Sequence, residues 1–115
     1  MSHLLPSYLH TLRKQWGLSQ PDLASLLGIT ASALCRFENL SRRPTIELII
    51  GAEVIFGHGA KEVFPALYRD VEREIVNRAK ARHKRLDSKT DPTTREQLRL
   101  LTEIIERASQ ATLNV

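Results

Sequence analysis

The chain has little with which to do covalent chemistry or hold a metal. It has one cysteine, Cys35, so no internal disulfide can form and no thiolate-rich zinc site can be assembled. The four histidines, His3, His10, His58 and His83, are scattered without ligand spacing. No Ser/His/Asp or Cys/His arrangement, no paired carboxylates and no phosphate-binding glycine loop stands out. The expectation is a protein that is not an enzyme and that uses no metal and no cofactor.

Long apolar runs are also missing. The most apolar stretch, residues 46–56, contains Glu47 and Glu53 and is too short to span a bilayer. The opening MSHLLPSYLH lacks the basic start and long apolar core of a signal peptide, and Ser2 stands where myristoylation needs glycine. These absences predict a cytoplasmic protein with no membrane association. Charge of either sign is not extreme. Seventeen Lys and Arg against thirteen Asp and Glu give a net charge of +4, which fits an anionic partner without requiring one.

Strand signals are nearly absent too, and what remains is a series of helices with short breaks. Leu9, Leu12 and Trp16 recur at helical spacing before Gly17, which predicts a first helix with those three side chains buried. Ser19 offers an N-cap to a second helix, with Pro21 and Asp22 in its first turn and Leu23, Ala24 and Leu27 as its inner stripe. Thr30 caps a third helix that carries Leu34 and Phe37 on one face. Thr45 caps a fourth, with Ile46, Ile49, Ile50 and Phe56 on its apolar side. A one-turn AKEVF element leads to Pro65, which opens a long helix to about Leu86 with Leu67, Tyr68, Val71, Ile75 and Ala79 in line. After the turn DSKTDP, Thr93 and Glu96 form a T-x-x-E capping box for a last helix with Leu98, Leu101, Ile105 and Ala108 on one side.

The second and third helices are separated by a turn of about three residues that contains Gly28, free to take the left-handed conformation such a turn needs. Ala24 is small where the two helices must cross. This is a helix-turn-helix.

The stretch LRKQWGLSQPDLASLLGITASALCRFENLSRRPTIELI resembles the DNA-binding domain of the Cro and lambda-repressor type, the XRE family. The likeness rests on L-R-x-x-x-G-L-S-Q, L-A-x-x-x-G-I, the E-N pair and R-R-P, and it covers about the first half of the chain. It implies an all-α protein with a five-helix repressor-type helix-turn-helix domain over residues 1–64. Residues 58–115 carry no family motif, and the apolar stripes of the two long helices predict that 65–115 form a C-terminal helical extension that dimerises. One departure is Leu40, where the family usually has glycine; it leaves the loop entering SRRP open to a longer or different path.

The resemblance places the third helix in the major groove. By motif position, Ala31, Ser32 and Arg36 fall where base edges are contacted, Gln20 where a phosphate is bonded or a base contact supported, and Arg42 and Arg43 near the backbone. It also pairs Glu38 with Arg13. Arg36 alone on that helix can grip a guanine with two prongs, Ser32 can donate or accept, and Ala31, with Ala33, can touch a thymine methyl. Cys35, near that face, reads as a small filler. Arg42 and Arg43 have the alternative of a merely solvated loop.

The run NRAKARHKR, residues 77–85, reads first as a solvated helix end with cations near the negative pole of the helix dipole, and second as a flank for DNA or an acidic partner. One short reading helix offers little contact, so a homodimer on double-stranded DNA is expected, acting as a repressor on a palindromic operator. The rival is an antitoxin or other sequestering protein, whose C-terminal helices bind a second protein while the N-terminal domain regulates its own gene.

Overall fold

The computed structural model describes residues 6–113; Ser2, His3 and the first half of the segment weighed as a leader lie outside them. The described residues form seven helices and no strand: α1 Leu9–Gln15, α2 Gln20–Leu27, α3 Ala31–Glu38, α4 Ile46–Phe56, α5 Ala60–Val63, α6 Pro65–Leu86 and α7 Pro92–Leu113. The chain divides into two compact units, with the change between Arg69 and Asp70, inside α6.

Side chains that satisfy the orphan amides of the first turn set the helix starts in the first unit. The Asp22 amide donates to Ser19 Oγ at 3.1 Å, and the Ser19 amide donates to the Asp22 carboxylate at 2.9 Å. Thr30 Oγ1 accepts from the Ala33 amide at 3.0 Å, and Thr45 Oγ1 from the Leu48 amide at 3.1 Å. Gly28 closes α2 at φ 74°, the left-handed region where a side chain would be strained. Gly51 matters for a different reason: a Cβ there would meet Leu27 Cδ2 at 2.7 Å, so α4 lies close to α2 at that position and any side chain would require Leu27 to shift.

These helices enclose one core of Leu9, Leu23, Ala24, Leu34, Phe37, Leu48, Ala52, Val63 and Phe64. Val63 and Phe64 are among its most completely buried members, and the Tyr8 amide donates to the Val63 carbonyl at 2.8 Å. The short α5 thus closes the core against the start of α1.

Three expectations about buried faces fail. Trp16 is 69% exposed, because α1 stops at Gln15 and Trp16 turns out of the helical register; the inner face of α1 is Leu9 and Arg13 instead. On α4 the buried residues are Leu48 and Ala52, Ile49 and Phe56 of the expected side are half-buried against the core, and Ile46 and Ile50 are 68% and 55% exposed. That helix is apolar nearly all round, so its periodicity names no single face. On α6, Tyr68, Val71 and Ile75 stand exposed and only Ala79 of the anticipated stripe is buried.

In the second unit only Ala79, Thr94 and Leu101 are buried among the described residues. The cap of α7 also differs from expectation. Asp91 takes the role given to Thr93: its carboxylate accepts from the Thr94 amide at 3.1 Å and from the Thr94 hydroxyl at 2.7 Å. The helix begins at Pro92, whose missing amide costs nothing at the first position, so the cap falls two residues earlier than the T-x-x-E pattern indicates.

Candidate nucleic-acid interface

The start of α3 is pinned by its Thr30 cap and its inner face by Leu34 and Phe37. What remains outside is a stripe at helical spacing: Ser32, Cys35, Arg36 and Asn39, all exposed. The side chains of Ser32, Cys35 and Arg36 form no hydrogen bond or ion pair with other described residues. Ala31 and Ala33 are half-buried and pack against the core. Of the three residues expected to meet base edges, Ser32 and Arg36 therefore project outward and Ala31 is turned partly inward. Cys35, read from sequence as a filler, lies on the outward stripe beside Arg36. Its spacing of three from Ser32 is the signal that marks it.

The C-terminal end of α3 is held by a buried polar cluster. Arg13 Nε donates to Glu38 Oε2 at 2.8 Å and Arg13 Nη2 to Glu38 Oε1 at 3.2 Å, so the guanidinium grips the carboxylate with two prongs. The same guanidinium donates from Nη1 to the Leu18 carbonyl at 3.1 Å and from Nη2 to His10 Nδ1 at 2.9 Å. Gln20 Nε2 donates to Glu38 Oε1 at 3.0 Å. The side chains of Arg13 and Glu38 are each 6% exposed. Burial pushes the Glu38 carboxyl up, but hydrogen bonds from Arg13 and Gln20, with the charge of Arg13, outweigh it and hold the group below its ordinary value. α1, α2 and α3 are thereby fixed at one point, and the negative charge of Glu38 is spent inside. Gln20, half-buried, is committed to that cluster with one amide hydrogen and keeps its carbonyl oxygen and second amide hydrogen for an outside group. Sequence reasoning missed His10, whose only signal is its position three residues before Arg13.

The loop after α3 turns at Leu40, which adopts φ 55°. It takes the left-handed conformation that a glycine would favour, at a cost of roughly 1–2 kcal/mol, and its half-buried side chain packs on the core in return. Asn39 Oδ1 accepts from the Ser41 amide at 2.9 Å, and the Arg42 amide donates to the Arg36 carbonyl at 3.3 Å. Arg42 and Arg43 are exposed, and the Arg42 guanidinium lies over the Phe37 ring, 5.2 Å from its centroid. This cation–π contact restrains one of the two arginines beside the end of α3.

Two other polar groups in the first unit serve the fold. Asp22 is held below its ordinary value by the backbone and side-chain hydrogen bonds of Ser19. His58 and Glu62 pair one turn apart. Among the described residues no group of His, Cys, Asp and Glu could hold a metal ion, and no helix is long and apolar enough to cross a membrane.

Residues 9–57 match a family model described as Helix-turn-helix. No curated protein and no solved structure matches the chain. The matched stretch ends at Gly57, so it includes the whole of α1 to α4 and leaves out α5, although Val63 and Phe64 fill the same core.

Proposed function

Residues 9–57 belong to the Cro and lambda-repressor type of helix-turn-helix, a DNA-binding family, and from that premise we propose that the protein represses transcription as a homodimer seated on a palindromic operator. α3 enters the major groove. Arg36 reads a guanine with both prongs of its guanidinium, Ser32 bonds a neighbouring base edge, and Ala31 lines the contact at the start of the helix. Gln20, Arg42 and Arg43 take phosphates and so set the depth and register of α3 without reading sequence. The C-terminal helices join the two copies.

One observation carries this reading. The outward stripe of α3 has an arginine and a serine whose side chains have no partner among the described residues, while the opposite face of the same helix is tied down by Leu34, Phe37 and the Arg13–Glu38 pair. A helix rigidly held on one side, with unsatisfied donors on the other, is arranged to meet an external surface of acceptors. The side chains beside Arg36 are short, so discrimination rests on few contacts and on the shape of the DNA.

The test is selection of bound sequences from random DNA with the wild type and with Arg36→Ala. The wild type is expected to select a two-fold repeat containing a guanine in each half. Arg36→Ala is expected to lose about 1–3 kcal/mol per half-site and to relax the preference at one base pair in each half. Identical preferences at identical stringency in both proteins would remove Arg36 from base reading.

A further inference from the structure

Within the second unit, α6 and α7 border a groove of about 480 Å³, a volume in the range of small-molecule sites. Its two walls differ in chemistry. On α6, Lys80, His83 and Lys84 line it at positions that share one helical face. On α7, Thr102, Ile105 and Glu106 line it with the same kind of spacing. Asp87, one residue past the end of α6, also reaches it. His83, Thr102 and Ile105 are half-buried, and the four charged side chains around them are exposed.

The charges of this groove are not spent on one another. Lys80, Lys84, Asp87 and Glu106 have no ion pair among the described residues, although both signs line the same space. Other side chains of the same two helices do find partners: Arg78 pairs with Glu74 at 3.6 Å, Arg99 with Glu96 at 3.0 Å, and Arg82 donates to Gln97 Oε1 at 3.2 Å. The Thr102 hydroxyl gives its hydrogen to the Leu98 carbonyl at 2.9 Å, so toward the groove it can only accept. Ionised Asp87 and Glu106 also only accept, Lys80 and Lys84 only donate, and His83 has a ring N–H to give. The α6 helix thus supplies a donor wall. Thr102 and Glu106, with Asp87 at the end, supply acceptors, and Ile105 supplies an apolar strip.

The count of charges narrows the occupant, because Lys80 and Lys84 are balanced one for one by Asp87 and Glu106. A ligand with negative groups alone, such as a nucleic-acid backbone, would meet two carboxylates, and one with positive groups alone would meet two ammonium groups. We infer that the groove binds a small amino carboxylate. Its carboxylate takes charge-assisted hydrogen bonds from Lys80, His83 and Lys84, its ammonium group gives them to Glu106, Asp87 and Thr102, and its aliphatic stem lies on Ile105. The proposed DNA contacts all lie in the first unit, so this inference and that reading can fail separately.

The test titrates the full chain by calorimetry with 6-aminohexanoate, hexanoate and hexylamine, which share a stem and differ in which ends are charged. 6-Aminohexanoate is expected to saturate one site per chain and to bind at least about tenfold tighter than either of the others. Amide shifts in the isotope-labelled protein are expected at residues 80–87 and 102–106. Lys80→Met with Lys84→Met keeps the aliphatic stems and the helix preference, and is expected to weaken 6-aminohexanoate at least about tenfold. Glu106→Gln keeps the shape of the wall. It is expected to weaken 6-aminohexanoate several-fold while hexanoate binds as well or better, a split that a merely structural Glu106 would not produce. Circular dichroism on each variant shows that its helices persist. Hexanoate binding as tightly as 6-aminohexanoate overturns the inference. So does the absence of saturable 6-aminohexanoate binding up to about 10 mM, or amide shifts confined to other residues. If Lys80→Met with Lys84→Met makes the salt dependence of DNA binding shallower and leaves 6-aminohexanoate binding unchanged, the lysines serve phosphates and the inference falls.

Discussion

The two units spend similar residues in opposite ways. The first packs short helices of seven to eleven residues, with the one-turn α5, around nine buried apolar side chains, and ties α1, α2 and α3 together through Arg13 and Glu38. The second has two helices of twenty-two residues, one of them shared with the first unit, and buries three side chains. Helices as short as those of the first unit do not persist alone in water, so their stability is tertiary, whereas long helices can be supported locally and still lack a finished surface. Length of helix and completeness of fold are therefore separate properties here. The first unit has a continuous buried core, whereas the second leaves most of its apolar side chains in contact with water.

The sharpest way to break this contrast is Arg13→Ala. It leaves Glu38 buried without its cation and is expected to cost about 3–5 kcal/mol, read by urea unfolding followed by circular dichroism. A loss below about 1 kcal/mol would mean that the first unit is not pinned at this cluster.

Acid offers a smaller lever on the same cluster. Glu38 sits below its ordinary value of 4.5: burial works against the charged form, and the hydrogen bonds of Arg13 and Gln20 with the charge of Arg13 more than offset it. A carboxylate lowered in the folded state contributes stability that is full above its unfolded value and is lost as pH falls through the folded one. The melting temperature is therefore expected to hold from neutral pH to about pH 5 and to fall below about pH 4.5, with a shallower fall in Glu38→Gln. Asp91 in the second unit is also lowered, through the side-chain and backbone hydrogen bonds of Thr94, but it is an exposed cap, and Asp91→Asn is expected to leave most of the acid slope in place.

The smallest effect belongs to the second unit's own surface. Arg99 and Glu96 pair with side chains about 70% exposed. Arg99→Ala is expected to change unfolding free energy by less than about 0.5 kcal/mol. A larger loss in chemical denaturation would show that this surface is already part of a packed structure.

Most of the fold was legible because punctuation and period agree. Ser19, Thr30 and Thr45 sit where caps must be, Gly28 and Gly57 where helices must stop, and Pro65 where one can begin. The misses came where one of those signals was absent. α4 has Ile46, Leu48, Ile49, Ile50, Ala52, Val54 and Ile55 on every side, so no periodicity could tell Leu48 from Ile50. Trp16 follows the apolar spacing of α1 but lies one residue past its end, which spacing alone does not show. Asp91 and Thr93 compete as caps of α7, and Pro92 decides between them. At the interface, the outward setting of Ser32 and Arg36 follows from the positions of Leu34 and Phe37. The commitment of Gln20 to Glu38 does not, because it depends on how two residues eighteen positions apart on neighbouring helices are brought together.

The bare outer stripe of α3 has a consequence for how such a protein changes over time. Ser32, Cys35 and Arg36 carry none of the bonds that hold the helix in place, so replacing them alters what is read and leaves folding almost untouched. Gln20 and Glu38 have no such freedom, since each change there also loosens the scaffold. On the reading proposed above, drift in target preference is channelled through three neighbouring positions whose side chains the core does not use.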